Sequence, residues 1–265
     1  MPKHSKSLKR KPLIIGNWKM NPATLGGAQK LFLGIRDGIG RRRHDVDIVV
    51  APPFPFISEM ERITPSRRIE LCAQDGSFEV GGAHTGEVSM TMLKSVGVTA
   101  VIVGHSERRA SGETDEIVYK DVMAALKHSL TVILCVGEKK RDSHGDYLTF
   151  VETQLRTALK DVPKTKLKYM VIAYEPVWAI GTGKTATPED AREMRIFIMK
   201  ILSDLYDRKA AERMRILYGG SVKPENAEDL LEVGEADGFL IGGASLKAKS
   251  FVSIINTAHD VAKKS

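Results

Sequence analysis

Eight short apolar runs recur along this chain, and no other feature limits its possible folds so tightly. They occupy residues 13–15, 48–51, 69–73, 100–103, 132–136, 169–173, 215–218 and 239–241. Most are nearly continuous in apolar residues, the pattern of strands covered on both faces. Between them the apolar spacing changes to three and four. Leu148, Val151, Leu155 and Leu159 predict a helix over 146–159, and Met194, Phe197, Ile201, Leu202 and Leu205 one over 191–205. Ala124-Ala125-Leu126 and the set Val252, Ile255, Ala258 and Val261 mark two more helices, while 85–96 has room only for a short one. Strands alternating with helices make parallel βαβ units, and eight of them predict a closed α/β (β/α)8 barrel. An open doubly wound sheet is the competing arrangement.

The 265 residues suit one such barrel, and no linker divides them. The expected organisation is a basic, disordered tail over 1–11 followed by a catalytic barrel domain over 12–265. Lys3, Lys6, Lys9, Arg10 and Lys11 carry five of the formal net charge of +7. The high positive balance therefore reads as a tail, not as a nucleic-acid-binding face, and Arg41-Arg42-Arg43 as a solvated helix end. No run approaches the roughly 18 apolar residues of a membrane span. The N-terminus has no apolar core of a secretory signal. Cys72 and Cys135, the two cysteines, lie far apart in apolar strand runs and read as buried thiols of a reducing compartment. A cytoplasmic location is expected. No histidine, cysteine or carboxylate group has metal-ligand spacing, and neither a nucleotide P-loop nor a Rossmann fingerprint is present. Neither metal nor cofactor is expected.

The chemistry collects at the strand exits. The sixth strand run ends at Glu175, followed by Pro176 and a loop with Trp178, Ile180, Gly181 and Gly183. Thr187, Pro188, Glu189 and Asp190 then begin a helix. A carboxylate beside a long loop carrying its own apolar residues reads as a catalytic base with a lid over Pro176–Ala186. The bland alternative is a structural glutamate in a surface turn. The first run exits into Gly16-Asn17-Trp18-Lys19 and the fourth into Gly104-His105-Ser106-Glu107. A histidine opening a helical turn feels the positive end of its dipole, which favours the neutral ring. A lysine at a barrel mouth, with Asn17 beside it, is suited to a phosphate or a developing oxyanion. Gly219-Gly220-Ser221 and Gly242-Gly243 follow the last two runs, where barrels hold phosphate on free N–H groups.

The stretches Gly16 to Asn21, Gly104 to Arg109, Ala173 to Gly183 and Tyr218 to Val222 resemble the triosephosphate isomerase family, in order, from about Leu13 onward. The resemblance implies a cofactor-free isomerase of phosphorylated trioses that moves a proton through an enediolate. It implies Glu175 as the base, His105 as the neutral electrophile and Lys19 as the cation that binds substrate and steadies the enediolate. Asn17 supports the same oxygen. Gly181, Ser221, Gly242 and Gly243 supply phosphate-binding N–H groups. Ser106 holds Glu175 retracted, and Glu107 organises Lys19. A homodimer through the loop 74–87 is also implied, although Asp75-Gly76-Ser77-Phe78 and His84 depart from the family pattern. The rival readings are an isomerase of a four-carbon ketose phosphate and a non-catalytic phosphate-binding barrel.

Overall fold

The computed structural model describes residues 10–40, 45–63, 68–180 and 186–264. Eight strands form a closed barrel in sequence order. They are β1 (Leu13–Asn17), β2 (Asp47–Ala51), β3 (Glu70–Ala73), β4 (Ala100–Val103), β5 (Thr131–Val136), β6 (Met170–Tyr174), β7 (Arg215–Tyr218) and β8 (Gly238–Ile241). Every neighbouring pair is parallel. The seam joins the first strand to the last, with Leu13 opposite Gly238 and Gly16 opposite Ile241.

The α-helices are α1 (Leu25–Ile39), α2 (Ile57–Arg62), α3 (Met90–Ser95), α4 (Ser106–Ala110), α5 (Asp115–Lys127), α6 (Asp146–Leu159), α7 (Pro188–Leu205), α8 (Arg208–Ala211), α9 (Ala227–Glu232) and α10 (Ala248–Lys264). The expected helix over 146–159 matches α6, and that over 191–205 begins three residues early in α7. The earlier start has a local cause. The Thr187 hydroxyl accepts from Asp190 N–H, the Asp190 carboxylate accepts from Thr187 N–H, and Pro188 fills the first turn. The connection after β3 holds only the six-residue α3, capped by the Ser89 hydroxyl.

Successive strand side chains point to opposite faces, so the barrel has two cores. Leu13, Ile15, Val49, Ala51, Cys72, Ala100, Ile102, Ile133, Cys135, Val171, Ala173, Leu217 and Leu240 form one cluster, the barrel lumen. Their neighbours Ile14, Ile48, Val50, Leu71, Val101, Leu134, Ile172 and Ile216 pack outward with Phe32 and Ile35 of α1, Val122 of α5 and Phe251 of α10. Continuous apolar strands follow because each face meets a core. Burial pushes the pKa of both the Cys72 and Cys135 thiols up, which keeps them protonated and inert.

The same alternation aims the site. Asn17 continues the inward parity of Leu13 and Ile15, and Glu175 that of Val171 and Ala173. One step past the last lumen layer, an inward side chain stands at the C-terminal mouth of the barrel.

Candidate active site

Asn17, Lys19, His105, Glu175, Ile180, Ser221, Gly242 and Gly243 border one cavity of about 460 Å³ at that mouth. The structure thus brings together almost every sequence-predicted site residue. Gly181 and the rest of 181–185, part of the expected lid, lie outside the described residues. Ser106 and Glu107 do not border this cavity; the Ser106 N–H meets the Glu175 carboxylate and the Glu107 carboxylate meets the Lys19 amine.

Glu175 is buried, at 2% exposure. Its backbone N–H donates to Val136 O at 2.8 Å, which ties the end of β6 to β5. Its Oε2 accepts from the Ser106 N–H at 2.8 Å, and its Oε1 lies 3.1 Å from His105 Nε2. Burial raises the pKa of this carboxylate, while His105, the Ser106 N–H and Lys19 pull the other way. A raised pKa makes a carboxylate a stronger base for carbon-bound protons. Glu175 also borders a second cavity of about 310 Å³ with Ser106, Gly137 and Val177. The close approach requires Gly137: a Cβ there would sit 1.8 Å from Glu175 O.

His105 caps α4, and its Nδ1 accepts from the Glu107 N–H at 3.2 Å. A nitrogen that accepts this bond carries no hydrogen, so the neutral ring bears its proton on Nε2, toward Glu175. The local backbone thus selects the tautomer able to donate into the cavity.

Lys19 has a left-handed backbone, φ 52°, a conformation rare outside glycine. Two side chains hold it there. Asn17 Oδ1 accepts from the Lys19 N–H at 3.0 Å, and Gln74 Nε2 donates to Lys19 O at 2.8 Å and to Ala51 O at 2.9 Å. Lys19 Nζ then reaches Glu107 Oε1 at 2.6 Å. Both Asn17 and Gln74 therefore shape the backbone that delivers the amine.

A second network braces the segment that follows Glu175. Glu138 is 1% exposed, and its Oε1 accepts from Tyr174 Oη at 2.8 Å, Trp178 Nε1 at 2.8 Å and Arg141 Nε at 3.1 Å. Arg141 also reaches Asp190 at 2.7 Å and Glu193 at 3.1 Å and lies over the rings of Trp178 and Tyr147. Sequence reasoning missed Glu138 and Arg141. The signal available was faint: Val136-Gly137-Glu138 leaves β5 just as Tyr174-Glu175 leaves β6. It also missed Lys223 and Lys247, which line the mouth. In the loop after β7, Asn226 Nδ2 donates to Ser221 O at 3.0 Å, and Gly220 is pressed so closely that a Cβ would meet Tyr218 Oη at 2.3 Å. Among the described residues no group of three or more His, Cys, Asp or Glu is placed to hold a metal ion.

Fold and site define an acid–base barrel protein: a (β/α)8 architecture with a buried carboxylate, an oriented imidazole and an amine facing one small cavity at the C-terminal mouth. The comparisons with known proteins narrow that class. A family model described as triosephosphate isomerase matches residues 12–258. The chain is 49% identical to the triosephosphate isomerase of Roseiflexus sp. (strain RS-1) over 250 residues, 93% of this chain and 97% of the relative. It is 48% identical to that of Chloroherpeton thalassium over 252 residues, 94% and 99% of the two chains. It is 46% identical to that of Geotalea uraniireducens over 251 residues, 93% and 98%. The chain belongs to the triosephosphate isomerase family.

Proposed function

We propose that this protein is a cofactor-free isomerase that interconverts dihydroxyacetone phosphate and D-glyceraldehyde 3-phosphate. The observation that carries the reading is the buried Glu175 carboxylate, poised between the Ser106 N–H and His105 Nε2 in a cavity that also holds Lys19. A binder needs no desolvated base beside a donor imidazole. Glu175 removes a proton from one substrate carbon and returns it to the next. His105 donates its Nε2 hydrogen to the carbonyl oxygen as negative charge grows there, a neutral-histidine role for which this enzyme family is itself the standard illustration. Lys19 lies close enough to stabilise that charge, and Asn17 keeps its backbone in register. Gly181, Ser221, Gly242 and Gly243 receive the phosphate through backbone N–H groups, and 176–186 closes over it. Ser106 parks the base until substrate arrives, and Glu107 holds the Lys19 amine.

The chain works as a homodimer through the loop 74–87. Support comes from apolar side chains left in water near it: Val80 in that loop is 69% exposed and Met20, just past Lys19, is 93% exposed. No helix among the described residues is long and apolar enough to cross a membrane. A cytoplasmic protein, with a basic tail over 1–11 ahead of one catalytic domain over 12–265, completes the reading. The deciding experiment measures turnover of the purified chain with triose and tetrulose phosphates in parallel. Turnover of the triose with little on the tetrulose is expected. A preference for the tetrulose, or no turnover of either, would overturn the assignment.

A further inference from the structure

A concentration of positive charge lies at the opposite end of the barrel from the catalytic mouth. A cavity of about 700 Å³ opens there, bordered by Asp47 where β2 begins, Thr131 where β5 begins, Met170 and Val171 where β6 begins, and Arg215 where β7 begins. All are N-terminal strand ends. Leu167 and Ala210 join Met170 and Val171 in giving it an apolar floor. Among the described residues, seven cationic side chains and one acid, Asp47, stand around that floor.

Three of the cations are matched. Arg215 meets Asp47 at 2.7 Å, Arg10 meets Asp237 at 3.5 Å, and Lys164 is paired with Asp207. The other four, Lys11, Lys168, Lys209 and Arg213, have no acidic partner among the described residues; Lys168 rests only over the Tyr169 ring. Arg10 adds a second sign of an incomplete site, because its Nη1 is buried without a hydrogen-bond partner among the described residues. Burial, together with Arg195 and Arg215 nearby, holds the Arg10 pKa below the ordinary arginine value even with Asp237 present. Cations outnumber acids around this cavity, and a bound anion would offset that excess.

We propose that this cavity is a binding site for a small anion carrying two or three linked phosphate groups. Arginine and lysine are the side chains that suit phosphate oxygens, Arg213 as a planar fork and the lysines as point charges. One phosphate would leave much of this charge unmet. The volume falls within the roughly 300–1,000 Å³ usual for small-ligand sites. Among the described residues no aromatic side chain borders it, so a nucleobase finds no stacking surface there and the phosphate chain supplies the affinity. A nucleic-acid backbone would span the rim without filling a concave pocket.

The test is calorimetric titration of the full chain at physiological salt with inorganic tripolyphosphate, with ATP and with a short DNA duplex. Each titration is repeated on Lys209→Glu/Arg213→Glu and on the gentler Lys209→Ala/Arg213→Ala. Circular dichroism and thermal melting confirm that both variants fold. Tripolyphosphate and ATP are expected to bind the wild type with similar affinity, and the glutamate pair to weaken both about tenfold or more, with the alanine pair intermediate. Isomerase turnover is expected to stay unchanged in both variants. The proposal is overturned if tripolyphosphate fails to bind at millimolar concentration. It is equally overturned if folded variants bind as the wild type does, if ATP binds and tripolyphosphate does not, or if only the duplex binds.

Discussion

Glu138→Gln changes one atom of the chain and tests whether the lid is braced from below. The substitution keeps shape and volume but removes the charge from an oxygen that accepts three donors, Tyr174 Oη, Trp178 Nε1 and Arg141 Nε. Hydrogen bonds to charged groups contribute about 1.5–3 kcal/mol and neutral ones about 0.5–1.5 kcal/mol. Each of the three bonds should therefore weaken by about 1 kcal/mol, a loss of about 3 kcal/mol in all. Arg141 keeps Asp190 and Glu193, which limits its share and argues against the larger penalty of an orphaned buried cation. Urea unfolding at one fixed chain concentration measures the loss. Emission provides a local readout, because the chain has two tryptophans and Trp18 is fully buried away from this network. Trp178 should shift to the red, and kcat should fall about 2–10-fold as the segment after Glu175 loosens. A variant within about 0.5 kcal/mol of wild type, with unchanged emission, would refute the bracing argument.

Four further outcomes are expected. Glu175→Gln should fold and melt normally while losing about 10²–10⁴ in turnover, since an amide cannot accept the carbon-bound proton; near-normal activity would remove Glu175 from the mechanism. Gln74→Ala takes the donor from Lys19 O and Ala51 O and should cost about 2 kcal/mol by thermal or urea unfolding, with a raised KM as the left-handed Lys19 backbone relaxes; an unchanged KM would show that the backbone holds itself. Asp121 is pushed up to about 8 by burial and by Asp75 and Glu113, and Glu113 to about 7 by burial and Asp75. Both folded values lie above the unfolded ones, so the stability these acids contribute is complete in acid and is lost as pH rises to about 7–8. Asp121→Asn should flatten the fall in melting temperature between about pH 5 and 8, and an unaltered slope would contradict the linkage. Shortening the lid within 180–182 should lower isomerisation and raise the phosphate released per aldose formed from dihydroxyacetone phosphate, because the enediolate loses its shield; a slow variant that releases no extra phosphate would exclude that role.

The barrel was legible because its signal is long-range and repeated. Parallel strands buried on both faces are apolar throughout, and β4 and β7 lie on the expected residues. Helix α1 was harder to read, since Gly26, Gly27, Gly34 and Gly38 interrupt the 15-residue span that buries Phe32 and Ile35. The short helices α8 and α9 have too few turns to show periodicity. In the site, each chemical group was legible where it leaves a strand, and inward parity alone would have aimed Asn17 and Glu175. What sequence spacing does not carry is partnership between distant loops. Gln74 meeting Lys19 and Arg141 bridging Glu138 to Asp190 are set by the closure of the barrel. The charge reading shows the same limit. Arg10 and Lys11 were grouped with a tail, yet they stand at a cavity with Arg213 and Arg215, from more than 200 positions away.

The seam between β1 and β8 also sets when the site can exist. Ser245 Oγ donates to Asn17 O across 228 positions of sequence, and Gly242 lies against the Lys19 side chain. The wall that carries the amine is thus built from the first strand and the last. The β4, β5 and β6 group, which unites His105 with Glu175, is by contrast contiguous in sequence. It cannot enclose a phosphorylated sugar until β8 docks, because contacts of this separation bear the largest loop-closure entropy. The wall that carries the amine is therefore complete only when the first strand has taken the last as its neighbour.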